Sequence, residues 1–488
     1  MQITTTSKPT YDQLEAEVLY LRQELDKLRR LIYGQKRERY VPLPPPDQLN
    51  FALAEQVSSE LPAKTERISY VRRKKNNTYT PHSRKPLPAH LPRKEIVIEP
   101  DEDVTDLKKI GEEITEELEY KPGTLYVNRY IRPKYARPND NGVTIGLLPT
   151  RPIEKGIAGP GLLAHILIGK FVDHLPLYRQ RQQFKRQDVD IAASTIGDWV
   201  AASCDVLDPL YHLLRDKLLT SSYLMADETP IRVLDHQKKG STHLGYHWVY
   251  YSPLERLVLF DYRPGRSRAG PNQILAEFKG YLQTDGYTGY DDLIASKRII
   301  SVGCLAHARR YFVDAHQSDP ERAEWMLDQI QQLYKIERQA QEANVDANAR
   351  HQLRQQCAVP IMGKIHDWLK EHAKQVLPKS AIGKAVGYML NQWPRLERYV
   401  TDGRLEIDNN LIENLIRPVA LGRKNYLFAG SHDGAERAAI VYSLVATAKQ
   451  HHIEPFAYLK DVISRIADHP HTRLAELLPP QWKPLTEN

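Results

Sequence analysis

The sequence predicts a mixed α/β core split by a helical insertion and preceded by a coiled coil and a small β-rich module. Three observations carry that expectation. Residues 223 to 312 hold five strand-like runs broken by helical ones; residues 318 to 400 are helical in pattern throughout; and the first forty residues carry an apolar heptad stripe. A chain of 488 residues is too long for one compact domain. Its 41% hydrophobic content is enough to fill real cores, which excludes wholesale disorder.

The heptad stripe is Leu14, Val18, Leu21, Leu25, Leu28 and Ile32, with alternating spacings of four and three, as a two-stranded seam requires. A coiled-coil helix is therefore expected over 1–40, with self-association through residues 11 to 33. The stiff run "YVPLPPPDQ" opens a Pro-rich and basic linker arm, 41–94. That arm concentrates Arg67, Arg72, Arg73, Lys74, Lys75, Arg84, Lys85, Arg93 and Lys94. Such a run is either a solvated linker or a contact for nucleic-acid phosphates, with Arg72, Arg73, Lys74 and Lys75 at its centre. The chain as a whole has 68 Lys and Arg against 61 Asp and Glu, a formal charge of +7. That excess is mild and does not by itself identify a partner.

Short alternating segments follow, "EIVIEP", "EITEELEY" and "TLYVNRYIRPKYA", and predict a small β-rich module over 95–150. Residues 151–222 are helical in pattern. "DVDIAASTIGDWVAASCDVL" fits a helix-turn-helix there, and fits two simply packed helices equally well.

"YLMADETPIRVL" reads as a strand, and "HLGYHWVYY" and "RLVLFDYR" form a hairpin through "SPLE". Gly270 to Phe278 reads as a helix, "GYLQTDGY" as a fourth strand and "RIISVGCLA" as a fifth. This order fits a ribonuclease H-like sheet whose first and fourth strands are parallel neighbours. The core is expected over 223–317 and 401–450, interrupted by the helical insertion 318–400 and followed by a tail segment, 451–488.

If those two strands are neighbours, Asp227 and Asp285 approach each other at the edge where open α/β sheets bind ligands. Two adjacent carboxylates repel unless a cation sits between them, and hard oxygen donors favour Mg²⁺ or Mn²⁺. Glu228 alternates to the other face of its strand, which gives it a supporting role. A third acid lies in "RLEIDNNLIENLIRPVALGRKNYLFAGS", where Asp408 is expected to cap a helix that Pro418 stops. Asn410, Glu413 and Arg417 share one side of it, and Arg423 and Lys424 follow in a segment suited to a phosphate backbone. Cys304 and His307 have CxxH spacing without a second pair, so they do not make a zinc site, and Cys304 is expected to be structural within the fifth strand.

"ADETP", "TDGYTGY", "CLAHARRYF" and "DNNLIENLIRPVALGRKNYLFAGS" together resemble the signature segments of the insertion sequence 66 family of bacterial transposases. "IYGQKRERY" and the C-terminal "LAELLPPQWKP" resemble that family too, so the likeness runs over nearly the whole chain. The resemblance implies a DDE transposase with a ribonuclease H-like catalytic core, in which Asp227, Asp285 and Glu413 are the catalytic and metal-binding triad. It implies two Mg²⁺ or Mn²⁺ ions, cleavage and strand transfer of the ends of an insertion element, and double-stranded DNA as partner, both terminal inverted repeats and target. Arg309 and Arg310 are then expected on DNA phosphates, as are Arg417, Arg423 and Lys424. Accessory proteins from the same element are further expected partners.

One departure matters. Family members often carry a cysteine-paired zinc module before the core, whereas here the corresponding places read "PDEDVTDL" and "ARPNDNG", so zinc is not expected. The three cysteines, Cys204, Cys304 and Cys357, form no disulfide framework, and no signal core or membrane span is legible. A cytoplasmic, nucleoid-associated bacterial protein is expected. The competing readings are a catalytically inactive DNA-binding remnant or regulator, and a related nuclease without strand transfer.

Overall fold

The computed structural model describes residues 150–485 apart from Lys155, 236–240 and 296–297, together with short stretches between 123 and 145. All of them belong to one compact unit, Pro122–Asn488. The expected coiled coil, the basic arm with Arg72, Arg73, Lys74 and Lys75, and most of the expected β-rich module lie outside the described residues. Of that module the structure describes one antiparallel ladder, β1 (Lys134–Ala136) with β2 (Val143–Ile145).

Three helices come next: α1 (Pro160–Phe171), α2 (Leu177–Lys185) and α3 (Ala193–Leu219). At 27 residues, α3 is about 40 Å long, and its buried stripe Ile196, Trp199, Cys204, Leu207, Leu214 and Leu218 recurs at helical spacing.

The central sheet is mixed and has five strands: β3 (Tyr223–Leu234), β4 (Thr242–Ser252), β5 (Leu257–Arg263), β6 (Gly280–Gln283) and β7 (Ile299–Val302). Their spatial order is β5-β4-β3-β6-β7. The first three form an antiparallel meander, and β3, β6 and β7 run parallel. Parallel neighbours need a crossover, and between β5 and β6 it is α4 (Ala269–Ile274), shorter than the helix expected from the pattern. A second short helix, α5 (Asp291–Ala295), precedes β7.

Nearly every residue of β5 is buried although it is an edge strand. The reason is α12 (His432–Gln450), which packs along it. Ser443 Oγ accepts from Phe260 N at 2.8 Å and Thr447 Oγ1 from Val258 N at 3.1 Å. Two hydroxyls thus satisfy backbone donors that a bare edge would offer to another chain.

After β7 the described chain is helical: α6 (Leu305–Ala315), α7 (Pro320–Glu342), α8 (Ala347–Leu353), α9 (Val359–His372), α10 (Ala381–Leu396), α11 (Asn410–Tyr426), α12 and α13 (Pro455–Arg465). A π-helical turn, Arg354–Ala358, joins α8 to α9. The C-terminal segment packs: Tyr458, Leu459, Val462, Ile463, Leu474 and Leu477 are buried, and α13 rests on α1.

Three local expectations need correction. Pro418 does not stop its helix; α11 continues to Tyr426, because Val419 and Gly422 beyond the proline are buried and hold the later turns in place. The N-cap of α11 is Asn409 and not Asp408, although Asp408 Oδ1 still accepts from Asn410 N at 3.0 Å. Cys304 is the N-cap residue of α6, two residues past the end of β7, and so does not belong to the strand.

Candidate active site

Asp227 lies in the middle of β3, and Met225 pairs with Gln283 in parallel register. Asp227 follows two residues beyond Met225, and Asp285 two residues beyond Gln283, just past the end of β6. Alternation sends Tyr223, Met225 and Asp227, with Tyr281, Gln283 and Asp285, to one face. The chain remains strand-like just beyond β6, since Thr284 N donates to Val302 O at 3.2 Å. It then turns at Gly286, whose φ of +91° a side chain rarely adopts. Tyr287 N donates to Asp285 Oδ1 at 2.9 Å, and Tyr388 Oη, from α10, donates to the Asp285 carbonyl at 3.0 Å.

Glu413 arrives from far along the chain, on the first turn of α11. What carries it here is a set of hydrogen bonds to the loop before that helix. Gln283, fully buried two residues before Asp285, donates to the carbonyls of Gly303 and Glu406, each at 2.9 Å. Tyr223 Oη accepts from Glu406 N at 3.1 Å. At the far end, Leu427 takes a left-handed φ of 63°, and Ala429 bonds beside the outer half of β3, its N donating to Arg232 O at 2.8 Å. So α11 is tied to the sheet at both ends and packs across β3.

The helical segment grips the same loop. Arg354 is fully buried and uses its whole guanidinium: two bonds to Glu337, at 2.8 Å each, and bonds to the carbonyls of Tyr399, Asp402 and Leu405 at 2.7, 2.9 and 2.8 Å. Arg350 makes a bidentate pair with Glu406 at 2.9 and 2.7 Å, and Tyr334 Oη donates to Asp408 Oδ2 at 2.7 Å. Fully satisfied buried networks of this kind fix one arrangement.

Two of the three acids carry shifted carboxyls. Burial pushes the Asp227 carboxyl well above the usual carboxylate range, and the charges of Glu228, Asp285 and Glu413 push the same way, against one backbone N–H bond from Glu228. Burial also raises Glu413; Arg310 opposes that rise, and Asp408 and Asp285 add to it. A group of carboxylate oxygen donors fits a hard divalent cation in kind. Among the described residues, however, no three His, Cys, Asp or Glu side chains stand close enough to hold one ion as they are placed.

Glu228 points away from Asp227 and pairs with Arg266. Arg309 and Arg310 are half-buried on α6, Arg417 and Lys424 are exposed on α11, and Arg417 Nη1 donates to Asn414 Oδ1 at 3.3 Å. Arg423 instead reaches the sheet, donating to Thr229 Oγ1 at 3.1 Å and to the Pro230 carbonyl. Cys304 and His307 form a local pair, Nδ1 to Sγ 3.2 Å, with Asn409 Oδ1 accepting from the thiol at 2.8 Å. Burial pushes the thiol up and pulls the His307 imidazole below its ordinary value; Asp285 pulls the imidazole the other way. The sequence reading overlooked Arg266 and Tyr287, although the Gly-Pro-flanked basic run "RPGRSR" between β5 and α4 marks the loop.

These features define a class: a mixed α/β protein with an oxygen-donor site at the carboxyl ends of its parallel strands. Comparison with known families gives membership, and the chain belongs to the IS66 transposase family. The model for that family matches residues 155–437, and the IS66 C-terminal element matches 443–479. A model described as Transposase C of IS166 homeodomain matches 20–96, and the zinc-finger binding domain of transposase IS66 matches 102–136. The last stretch contains neither cysteine nor histidine in this chain. The relatives from Sinorhizobium fredii include two that match nearly the whole chain. Uncharacterized protein y4hP is 32% identical over 96% of this chain and 89% of its own length. Uncharacterized protein y4jD is 33% identical over 97% and 96%.

Proposed function

We propose that the chain is a DDE transposase with a ribonuclease H-like core that cleaves the ends of an insertion element and joins them to target DNA. The observation that carries this reading is that the charges of Asp285 and Glu413 both act on Asp227, just past the parallel part of β3. Asp227 lies on β3 and Asp285 just past the end of its parallel neighbour β6, and Glu413 stands on the first turn of a helix tied to the same sheet. The strand order, with β3 beside β6, supports the ribonuclease H-like assignment.

Asp227, Asp285 and Glu413 would hold Mg²⁺ or Mn²⁺. Bound divalent ions supply activation of a water or a DNA 3′-hydroxyl and stabilisation of the leaving oxygen in phosphoryl transfer. The protein's own part is positional. Asp227 and Asp285 fix two donors on the rigid sheet, and Glu413 brings the third from α11. Arg309 and Arg310, with Arg417, Arg423 and Lys424, supply positive charge for the DNA backbone around them. The core is assigned to 223–317 and 401–450, with 318–400 inserted. Because 102–136 offers no thiolate or imidazole, DNA contact by that stretch would not depend on a cysteine-held zinc.

Purified protein, duplexes bearing the inverted repeats that border its gene, and Mg²⁺ or Mn²⁺ test the reading. Nicking and strand transfer are expected, with any partner proteins of the element supplied. Asp227→Ala, Asp285→Ala and Glu413→Ala should each abolish the chemistry and leave DNA affinity within a few-fold. Full activity in any one of the three would remove that residue from the triad, and inactivity of the wild type under all these conditions would sink the reading.

A further inference from the structure

We propose that Arg266 is a phosphate-binding residue of the candidate site, held by Glu228 and Tyr287 so that it takes a backbone phosphate of the DNA. The inference rests on the transposase reading and adds a contact to it. Arg266 lies in the loop between β5 and α4. Its Nε donates to Glu228 Oε1 at 2.6 Å, and Nη2 pairs with the same oxygen. The guanidinium lies 4.2 Å from the centre of the Tyr287 ring, and Tyr287 Oη donates to the Arg266 carbonyl at 2.8 Å.

Both anchors are chain neighbours of the site acids. Glu228 follows Asp227 directly, and Tyr287 gives its backbone N–H to Asp285 Oδ1. Arg266 therefore joins the two acid-bearing segments, and Asp285 is among the charges acting on it.

The pair is lopsided. The Glu228 side chain is 4% exposed and that of Arg266 45%. An ordinary surface ion pair leaves both ends wet and is worth little. Here the acid is sunk against the sheet and the guanidinium is presented outward, with Nη1 unbonded among the described residues. An arginine held along one edge and stacked on a ring keeps donors in the fork geometry that phosphate accepts, with little side-chain entropy left to lose. It also places a fixed cation beside carboxylates that would otherwise repel a phosphate. Glu228 is then a positioning residue, which explains an acid on the face away from Asp227.

The test uses full-length protein and the terminal-repeat duplex, with affinity measured between about 50 and 200 mM salt and thermal unfolding as the check on folding. Arg266→Ala should flatten the slope of log affinity against log salt by about 0.9, the value of one phosphate contact. It should also slow end cleavage about tenfold to a hundredfold. Arg266→Gln, the milder change, should give the same slope if the Ala variant is unstable. Arg266→Lys should keep the wild-type slope yet cleave more slowly, because an ammonium cannot be fixed along one edge. Glu228→Gln, which retains an acceptor, should rescue most of the activity lost in Glu228→Ala. Folded Arg266→Ala and Arg266→Gln proteins with wild-type slope and cleavage would overturn this inference alone. A wild type that neither binds nor cuts would take down the transposase reading and this inference with it.

Discussion

Asp227 shows what a single residue contributes and what it costs. Its folded carboxyl value is raised above the unfolded one, so the stability linked to it is fully present below the unfolded value and is lost as pH rises through the folded one. Without divalent ions, Asp227→Asn should therefore unfold at a higher temperature than wild type at pH 7.5. The gap should narrow as pH falls toward about 3, below the ordinary Asp value of about 3.9, where both states are protonated. Adding Mn²⁺ should raise the melting temperature of the wild type and leave that of the variant nearly unchanged. Scanning fluorimetry that finds no difference at pH 7.5 would contradict the burial argument. The acid itself was legible: an Asp-Glu pair directly after "YLM" in a strand run demands a partner. Alternation puts Asp227 and Glu228 on opposite faces of β3, and Glu228 pairs with Arg266.

At the scale of elements, the connection between the helical segment and α11 decides where Glu413 stands. Arg354 holds Glu337 and three carbonyls of the loop 399–405, so its removal would leave the Glu337 carboxylate buried without a full set of partners. Breaking such a pair from one side costs about 3–5 kcal/mol, whereas replacing both members by apolar groups is often nearly neutral. Arg354→Met should lower stability by about that amount, and Arg354→Met with Glu337→Leu should recover much of it, as read by denaturant unfolding. A single variant as stable as wild type would show that the network does not hold the loop. The strands of the meander were legible because period-2 alternation and β-branched and aromatic residues are local signals. The run of α11 through Pro418 was not, because the burial of Val419 and Gly422 that keeps the helix going is a tertiary fact.

For the whole molecule, the described unit contains no helix long and apolar enough to cross a membrane. Self-association is expected to come from the heptads of residues 11 to 33, outside the described residues. Light scattering should give a larger mass for the full chain than for one lacking residues 1–40, and equal masses per chain would remove the coiled coil from the assembly.

The sequence by itself determined the strands, the long helical stretch after them, the acids worth watching and the family resemblance. All of these are carried by local periodicity or by contiguous motifs. Only the tertiary structure decided that Met225 pairs with Gln283, which brings the charge of Asp285 to bear on Asp227; that the 402–409 loop is bolted to Gln283 and Arg354; and that Arg266 sits between Glu228 and Tyr287. These contacts join residues 21 to 123 positions apart. Their partners are chosen by the packing of whole elements against one another, and no short-range pattern along the chain encodes that choice.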